Sequence, residues 1–227
     1  MLVIRNRIQF IRKRLLGITP RAFFLSGKFL PVLMFLALAQ TTFGQGLDTR
    51  VLLDWQQGRQ VTLNKFSIAT SNSVYYGVIG TPVVLWAHGL LADNSASKRA
   101  GSELMLGTVI TTGLVWASKY SIGRARPFES NSAIVPLQTT TGSSFPSGHT
   151  AVAFNTATTM SLSYPHWYVA VPYYSWAVLV GASRVYNGVH YPSDVAVGAL
   201  LGISSSIVNH YCCKYLFKQK RVRKILE

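Results

Sequence analysis

At 227 residues, 49% of them apolar and only 13% charged, the chain has room for one sizeable core and little for a second domain. The charged share is about half the usual one, which argues against a charge-coated soluble surface and for a membrane or an unusually apolar helical bundle. The net charge of +15 does not describe a nucleic-acid face, because 15 of the 22 Lys and Arg flank apolar segments: seven in positions 1–28, Lys98 and Arg99, and six between 214 and 224.

In chain order, residues 1–45 open with a basic stretch and continue into an apolar run at 29–39. That run ends on Ala37, Leu38 and Ala39, so it reads either as a cleaved secretory signal or as a retained anchor. Residues 46–73 read as an exported polar connector with room for an amphipathic helix. Five apolar segments follow, at 74–92, 104–119, 149–164, 167–182 and 195–211. Each is close to the lower length for crossing a hydrocarbon layer of ~30 Å. Their Thr, Ser, Gly and Tyr suit a packed bundle better than isolated spans. Residues 212–227 form a basic tail. The expected fold is therefore all-α: a membrane-embedded bundle of five core helices, occupying 74–211, plus the N-terminal signal or anchor. Cys212 and Cys213 are adjacent and support neither a disulfide framework nor a zinc pattern.

The distribution of cations sets an orientation. With the N-terminus inside, six crossings put Lys98, Arg99 and the basic tail on the cytoplasmic side. The segments around 119–149 and 183–194 then share the outer face.

That outer face collects the unusual polar residues. Lys119, Arg126 and Arg184 stand at the ends of apolar segments, where unpaired charge is expensive and usually functional. Arginine forks match phosphate oxygens, and lysine adds a compact charge. Pro146, Ser147, Gly148 and His149 read as a helix start, with Ser147 as N-cap and Gly148 letting an anion approach the free amides. Asp194 is the only carboxylate between Glu129 and Glu227. It follows His190 by four residues, with Pro192 starting a helix between them. At that spacing the carboxylate can hold one imidazole nitrogen and leave the other basic. His149 could then serve as general acid. Arg59 and Arg124 read as helix anchors, and His88, His166 and His210 as packing or interfacial residues.

These three segments, in this order, resemble the type-2 phosphatidate phosphatase superfamily, which includes nonspecific acid phosphatases and vanadium haloperoxidases. The matching elements are Lys119 with Arg126 and Pro127, then Pro146 to His149, then Ser183, Arg184, His190 and Asp194. No element of the pattern is missing, and the resemblance covers about 74–211. It implies that His190 attacks phosphorus, Asp194 orients it and His149 protonates the leaving group. It also implies that Lys119, Arg126, Arg184, Ser147 and Gly148 hold the phosphoryl oxygens, with no metal and no other cofactor. Carboxylates are too sparse near these residues to build a two-metal clamp.

The expected function is hydrolysis of a membrane lipid phosphate: phosphatidate, phosphatidylglycerophosphate, undecaprenyl pyrophosphate or a lipid A phosphate. The expected setting is a bacterial inner membrane with the site on the periplasmic side, and the expected partners are the lipid and the membrane, not nucleic acid. The alternatives are a secreted nonspecific acid phosphatase, a vanadate-dependent haloperoxidase and a non-catalytic membrane protein.

Overall fold

The structure, a computed structural model, describes the backbone of residues 45–226 and the side chains of residues 46–216. The signal or anchor expected at 1–45 lies outside the described residues, apart from its last position. All described residues fall in the unit 43–227, which is taken by itself. Their regular elements are all helices, with no strand among them: α1 (Gln45–Gln57), α2 (Val61–Leu91), α3 (Ser95–Ile122), the single turn α4 (Pro127–Ser130), α5 (Gly148–Ser163), α6 (Trp167–Tyr186) and α7 (Pro192–Leu226).

Local chemistry sets several of the boundaries. The Asn94 side chain accepts from the amides of Ala96 and Ser97 at 3.0 and 3.1 Å, which starts α3. Gly123 ends it at φ 63°, a left-handed conformation that glycine adopts without penalty. Pro127 and Pro192 occupy the first positions of α4 and α7, where a missing N–H is harmless. In α7, Asp194 reaches back to the Tyr191 amide at 3.0 Å, the acidic half of a capping box.

The five expected apolar segments are the cores of α2, α3, α5, α6 and α7. Helix α2 begins well before the apolar segment expected at 74–92, because its first turns are polar and escape a hydropathy pattern. Those turns are anchored instead by Ser67, whose hydroxyl donates to Asn187 Oδ1 at 2.7 Å, and by Ser71. Among the described residues, two stretches are long and apolar enough to cross a membrane, Val61–Leu91 and Pro192–Leu216. The outer face of α2 presents Tyr76, Ile79, Val83, Leu90 and Leu91 as a continuous apolar surface.

Helix α5 sits in the middle, packed against α2, α3, α6 and α7. Its small and hydroxylated residues, among them Ala151, Ala153, Asn155, Thr156, Ala157 and Thr159, are buried on every side. Close approach is greatest against α7, where Gly198 and Gly202 form a glycine pair four residues apart. A Cβ on Gly202 would stand 2.1 Å from the Ala151 carbonyl oxygen, and one on Gly198 would stand 2.6 Å from that of Ser147. Hydroxyl pairs fasten α7 to two neighbours: Thr159 of α5 to Ser206 at 2.8 Å and Thr111 of α3 to Ser205 at 2.7 Å. Each such bond contributes about 0.6 kcal/mol in a membrane bundle.

The two ends of the bundle differ. One end joins α2, α3 and α5 through His88, Ser97 and Tyr164, with Lys98 paired to Asp93 at 2.9 Å. His210, read from sequence as a packing or interfacial residue, is there tied to the buried Glu103 at 2.5 Å. The other end gathers the starts of α5 and α7, the ends of α3 and α6, and the loop from Asn131 to Ser147.

Candidate active site

At that second end, helix α7 starts two residues after His190, so the capping acid Asp194 lies one turn beyond the imidazole and on its side. Nδ1 of His190 lies 3.5 Å from Asp194 Oδ2 and 3.4 Å from Ser144 Oγ. The Ser144 hydroxyl donates to the same Oδ2 at 2.5 Å, so its oxygen is free to accept from the imidazole. A proton on Nδ1 therefore faces two acceptors, which leaves the Nε2 lone pair available. Arg126 Nη1 lies 3.4 Å from Nε2.

Asp194 is 0% exposed. Oδ2 takes Ser144, the Tyr191 amide and the His190 side; Oδ1 takes Arg124 Nη1 at 2.7 Å. The α7 N-terminus adds a favourable dipole. The carbonyl of Asp194 accepts from the Ser147 amide at 3.0 Å, so the start of α5 is pinned beside the His190–Asp194 pair. Burial pushes the His190 pKa down to about 4, against the opposing pull of its Asp194 contact. The imidazole is therefore neutral at pH 7, the state a nitrogen nucleophile needs.

The three sequence-expected cations converge here, each held by loop and helix groups. Arg126 donates to the carbonyls of Gly142, Val189 and Thr141 at 2.8–3.0 Å. Burial lowers its pKa from the ordinary value, yet so basic a group stays charged at neutral pH. Lys119, in the last turn of α3, donates to the carbonyls of Ser143 and Ser144. Arg184, in the last turn of α6, donates through Nη1 to Ser71 and to Gln138 Oε1 at 3.0 Å. Its Nε is buried and has no hydrogen-bond partner among the described residues. Lys119 is within electrostatic reach of Arg126, Asp194 and Arg184. His149 is within reach of Arg184, His190, Arg126 and Lys119, and its ring meets Tyr75 edge-on at 5.4 Å.

Two expectations are corrected here. Ser147 holds the N-cap position of α5, but its hydroxyl bonds Thr150 Oγ1 at 2.8 Å and not a backbone amide. Thr150, three residues on, offers a hydroxyl in the same turn, and the Ser147 hydroxyl is spent on it. Arg59 and Arg124, read as helix anchors, are built into the protein. Arg59 donates to the carbonyls of Val135 and Tyr186 at 2.6 and 2.7 Å, and its guanidinium lies 5.8 Å from the Tyr186 ring centroid. Arg124 reaches Asp194 and Asp48. Partial burial leaves such cations fewer solvent partners for their donors, and carbonyls and carboxylates take the place of water.

Ser144, Gln138, Ser71, Tyr75 and Asp48 were not singled out from sequence. Arg124 had a signal, two positions before Arg126. The others sit in segments with no marking pattern, and only the fold brings them in. Gly148 is not demanded by neighbours, since a Cβ there would meet only Val115, at 3.4 Å.

The sequence pattern and this geometry agree with a family comparison in which the PAP2 superfamily matches residues 101–218, more than half of the chain. The chain belongs to the PAP2 superfamily. PAP2 relatives include a lipid A 1-phosphatase of Porphyromonas gingivalis, 38% identical over 128 residues, covering 54% of this chain and 26% of that protein. An undecaprenyl-diphosphatase of Sulfolobus acidocaldarius is 36% identical over 145 residues, 62% of this chain and 69% of that protein. Among solved PAP2 structures, the transmembrane phosphatidylglycerolphosphate phosphatase of Bacillus subtilis superposes with a TM-score of 0.68 at 26% identity, covering 85% of this chain and 94% of that one. Aquifex aeolicus LpxE does so with a TM-score of 0.60 at 27% identity, covering 76% and 97%. With these relatives and its two membrane-length apolar helices, the chain is an integral membrane protein of the PAP2 type.

Proposed function

We propose that this chain is a phosphatase acting on a membrane lipid phosphate through a phosphohistidine on His190. The observation that carries the reading is a buried imidazole set between a buried carboxylate and converging cations. Nε2 of His190 attacks phosphorus and the bond from phosphorus to the lipid oxygen breaks. With the phosphate anion bound beside it to favour the charged form, His149 carries a proton and gives it to the departing alkoxide or lipid phosphate. The neutral His149 then takes a proton from water, whose oxygen attacks phosphorus and breaks the P–N bond. Asp194 holds the Nδ1 proton and stabilises the imidazolium that forms. Lys119, Arg126 and Arg184, with Ser147 and the amides at Gly148, stabilise the charge developing on the phosphoryl oxygens. The uncommitted Nε of Arg184 and the open side of Gly148 suit that task.

The phosphatase domain occupies 74–211 in this reading, and the basic tail is cytoplasmic. The site then faces the periplasm of a bacterial inner membrane, where the relatives' substrate classes supply the candidates: lipid A phosphates, undecaprenyl pyrophosphate and phosphatidylglycerophosphate, with phosphatidate beside them. In this reading the histidine pair and the cations do the chemistry without a cofactor. The relatives do not favour the secreted acid phosphatase or the haloperoxidase.

The test is phosphate release by detergent-solubilised protein, with EDTA present, from a panel of these lipids and of soluble esters. Release from one lipid class is the expected result. Hydrolysis of soluble esters alone would move the reading to a nonspecific acid phosphatase.

A further inference from the structure

Helix α1 lies outside the residues that match the PAP2 superfamily, yet one of its side chains touches the group that holds Asp194. Asp48, in the first turn of α1, is buried. Its Oδ2 accepts from Arg124 Nη2 at 3.0 Å and from the Ser193 hydroxyl at 2.5 Å; its Oδ1 accepts from the Ser193 amide at 3.1 Å. Arg124 turns its other nitrogen, Nη1, to Asp194 Oδ1 at 2.7 Å and Ser193 Oγ at 2.8 Å. The guanidinium lies 4.0 Å from the ring centroid of Tyr191, the residue next to His190. Leu52, one turn after Asp48, packs with Tyr191, Ile134 and Val185. Gln56, one turn further on, clasps both the Ala133 carbonyl and the Val135 amide.

We infer that α1 is part of the catalytic framework, with Asp48 and Arg124 acting as positioning residues that hold the Asp194 carboxylate in register with His190. The inference rests on the reading of His190 and Asp194 given above. Three features carry it. Oδ1 of Asp194 has Arg124 as its side-chain partner, so the carboxylate plane turns with Arg124 while Oδ2 serves the imidazole. Arg124 is shared by two carboxylates, so its fork is fixed from both ends and cannot follow Asp194 if that group rotates. Asp48 also accepts from the Ser193 amide, one of the free N–H groups in the first turn of α7, so α1 fixes the end of the helix that carries Asp194. A cation held between two acids also leaves net negative charge for the imidazole to feel.

The test is a coupling measurement on the full chain in detergent, with the substrate found by the lipid panel. Asp48→Asn is isosteric and keeps an acceptor for Ser193. It is expected to lower kcat by about 10-fold, the worth of one charge-assisted hydrogen bond, with KM little changed. In an Asp194→Asn background the same substitution is expected to have no further effect, because its route to the imidazole is already cut. Arg124→Lys is expected to retain more activity than Arg124→Gln. Equal losses from Asp48→Asn in both backgrounds, or no loss in either, would overturn the inference. Wild-type activity that is lost in His190→Ala must be seen in the same series. If it is seen and the coupling is absent, only the role of α1 fails; if it is not seen, the underlying reading fails.

Discussion

Replacing Asp194 by Asn keeps the shape of the most connected side chain in the site and changes only its hydrogen-bonding capacity. The carboxylate faces donors on both oxygens: Arg124 Nη1 on Oδ1; Ser144, the Tyr191 amide and the Nδ1 side of His190 on Oδ2. An amide must turn its NH2 toward one of these sets. Turned to Arg124, it sets donor against donor beside a cation left with Asp48 as its one carboxylate. Turned to the imidazole side, it asks Nδ1 to accept, which moves the ring proton to Nε2 and removes the attacking lone pair. Loss of the Arg124 contact alone corresponds to about 1.5–3 kcal/mol. A wrong tautomer in the analogous His–Asp pair of a serine protease lowers kcat by about 10⁴. Asp194→Asn should therefore reduce kcat by about 10³–10⁴ while inorganic phosphate still binds, since the three cations remain. Steady-state phosphate release, paired with phosphate protection against thermal unfolding, checks both halves. A kcat within a few-fold of wild type, in a variant that binds phosphate normally, would refute the assignment of Asp194 as the orienting group.

Arg184→Lys keeps the charge but removes the Nε–H and the planar fork, and should lower kcat/KM by about 100-fold, as loss of one preorganised donor does; unchanged kinetics would place phosphate elsewhere. Because His190 has its pKa pushed down to about 4, it is neutral above that pH and protonated below it, so the acid limb of kcat/KM should fall through about pH 4 and not through 6.5. The stability consequence has the same sign: the unfolded imidazole takes its proton near pH 6.5 and the native one near 4, so this group destabilises the fold progressively as pH drops across that window. Titration of unfolding in detergent for wild type against His190→Gln isolates it. Gly202→Ala would set a Cβ 2.1 Å from the Ala151 carbonyl oxygen, and should destabilise the bundle by about 3 kcal/mol. Gly113→Ala, with nothing within 4 Å, should leave stability unchanged or slightly raised. Equal melting temperatures for the two variants would contradict the close α5–α7 contact.

The all-helical bundle could be read from the sequence because apolar segment length and small-residue content are local properties. The charge distribution went further: it put 119–149 and 183–194 on one face, and those segments do meet at one end of the bundle, opposite Lys98 and Tyr164. His190 and Asp194 were legible as a pair because four residues and a helix-starting proline fix their separation. The start of α2 was not legible, since Ser67 and Ser71 stabilise it by contacts to Asn187 and Arg184, more than 110 residues away. Arg124 looked like an anchor because a cation at a helix end usually faces water or lipid head groups. Its two carboxylates come from positions 76 residues before it and 70 after it, and no spacing rule links those.

The central claim is that phosphate passes through a covalent bond to His190. The direct measurement is rapid mixing with a substrate labelled in the scissile phosphate, an alkaline quench that preserves phosphohistidine, and peptide mapping of the label. Label on the peptide carrying His190, appearing before free phosphate and absent in His190→Ala, is the predicted result. Label on a different residue, or turnover that persists in His190→Ala, would contradict it.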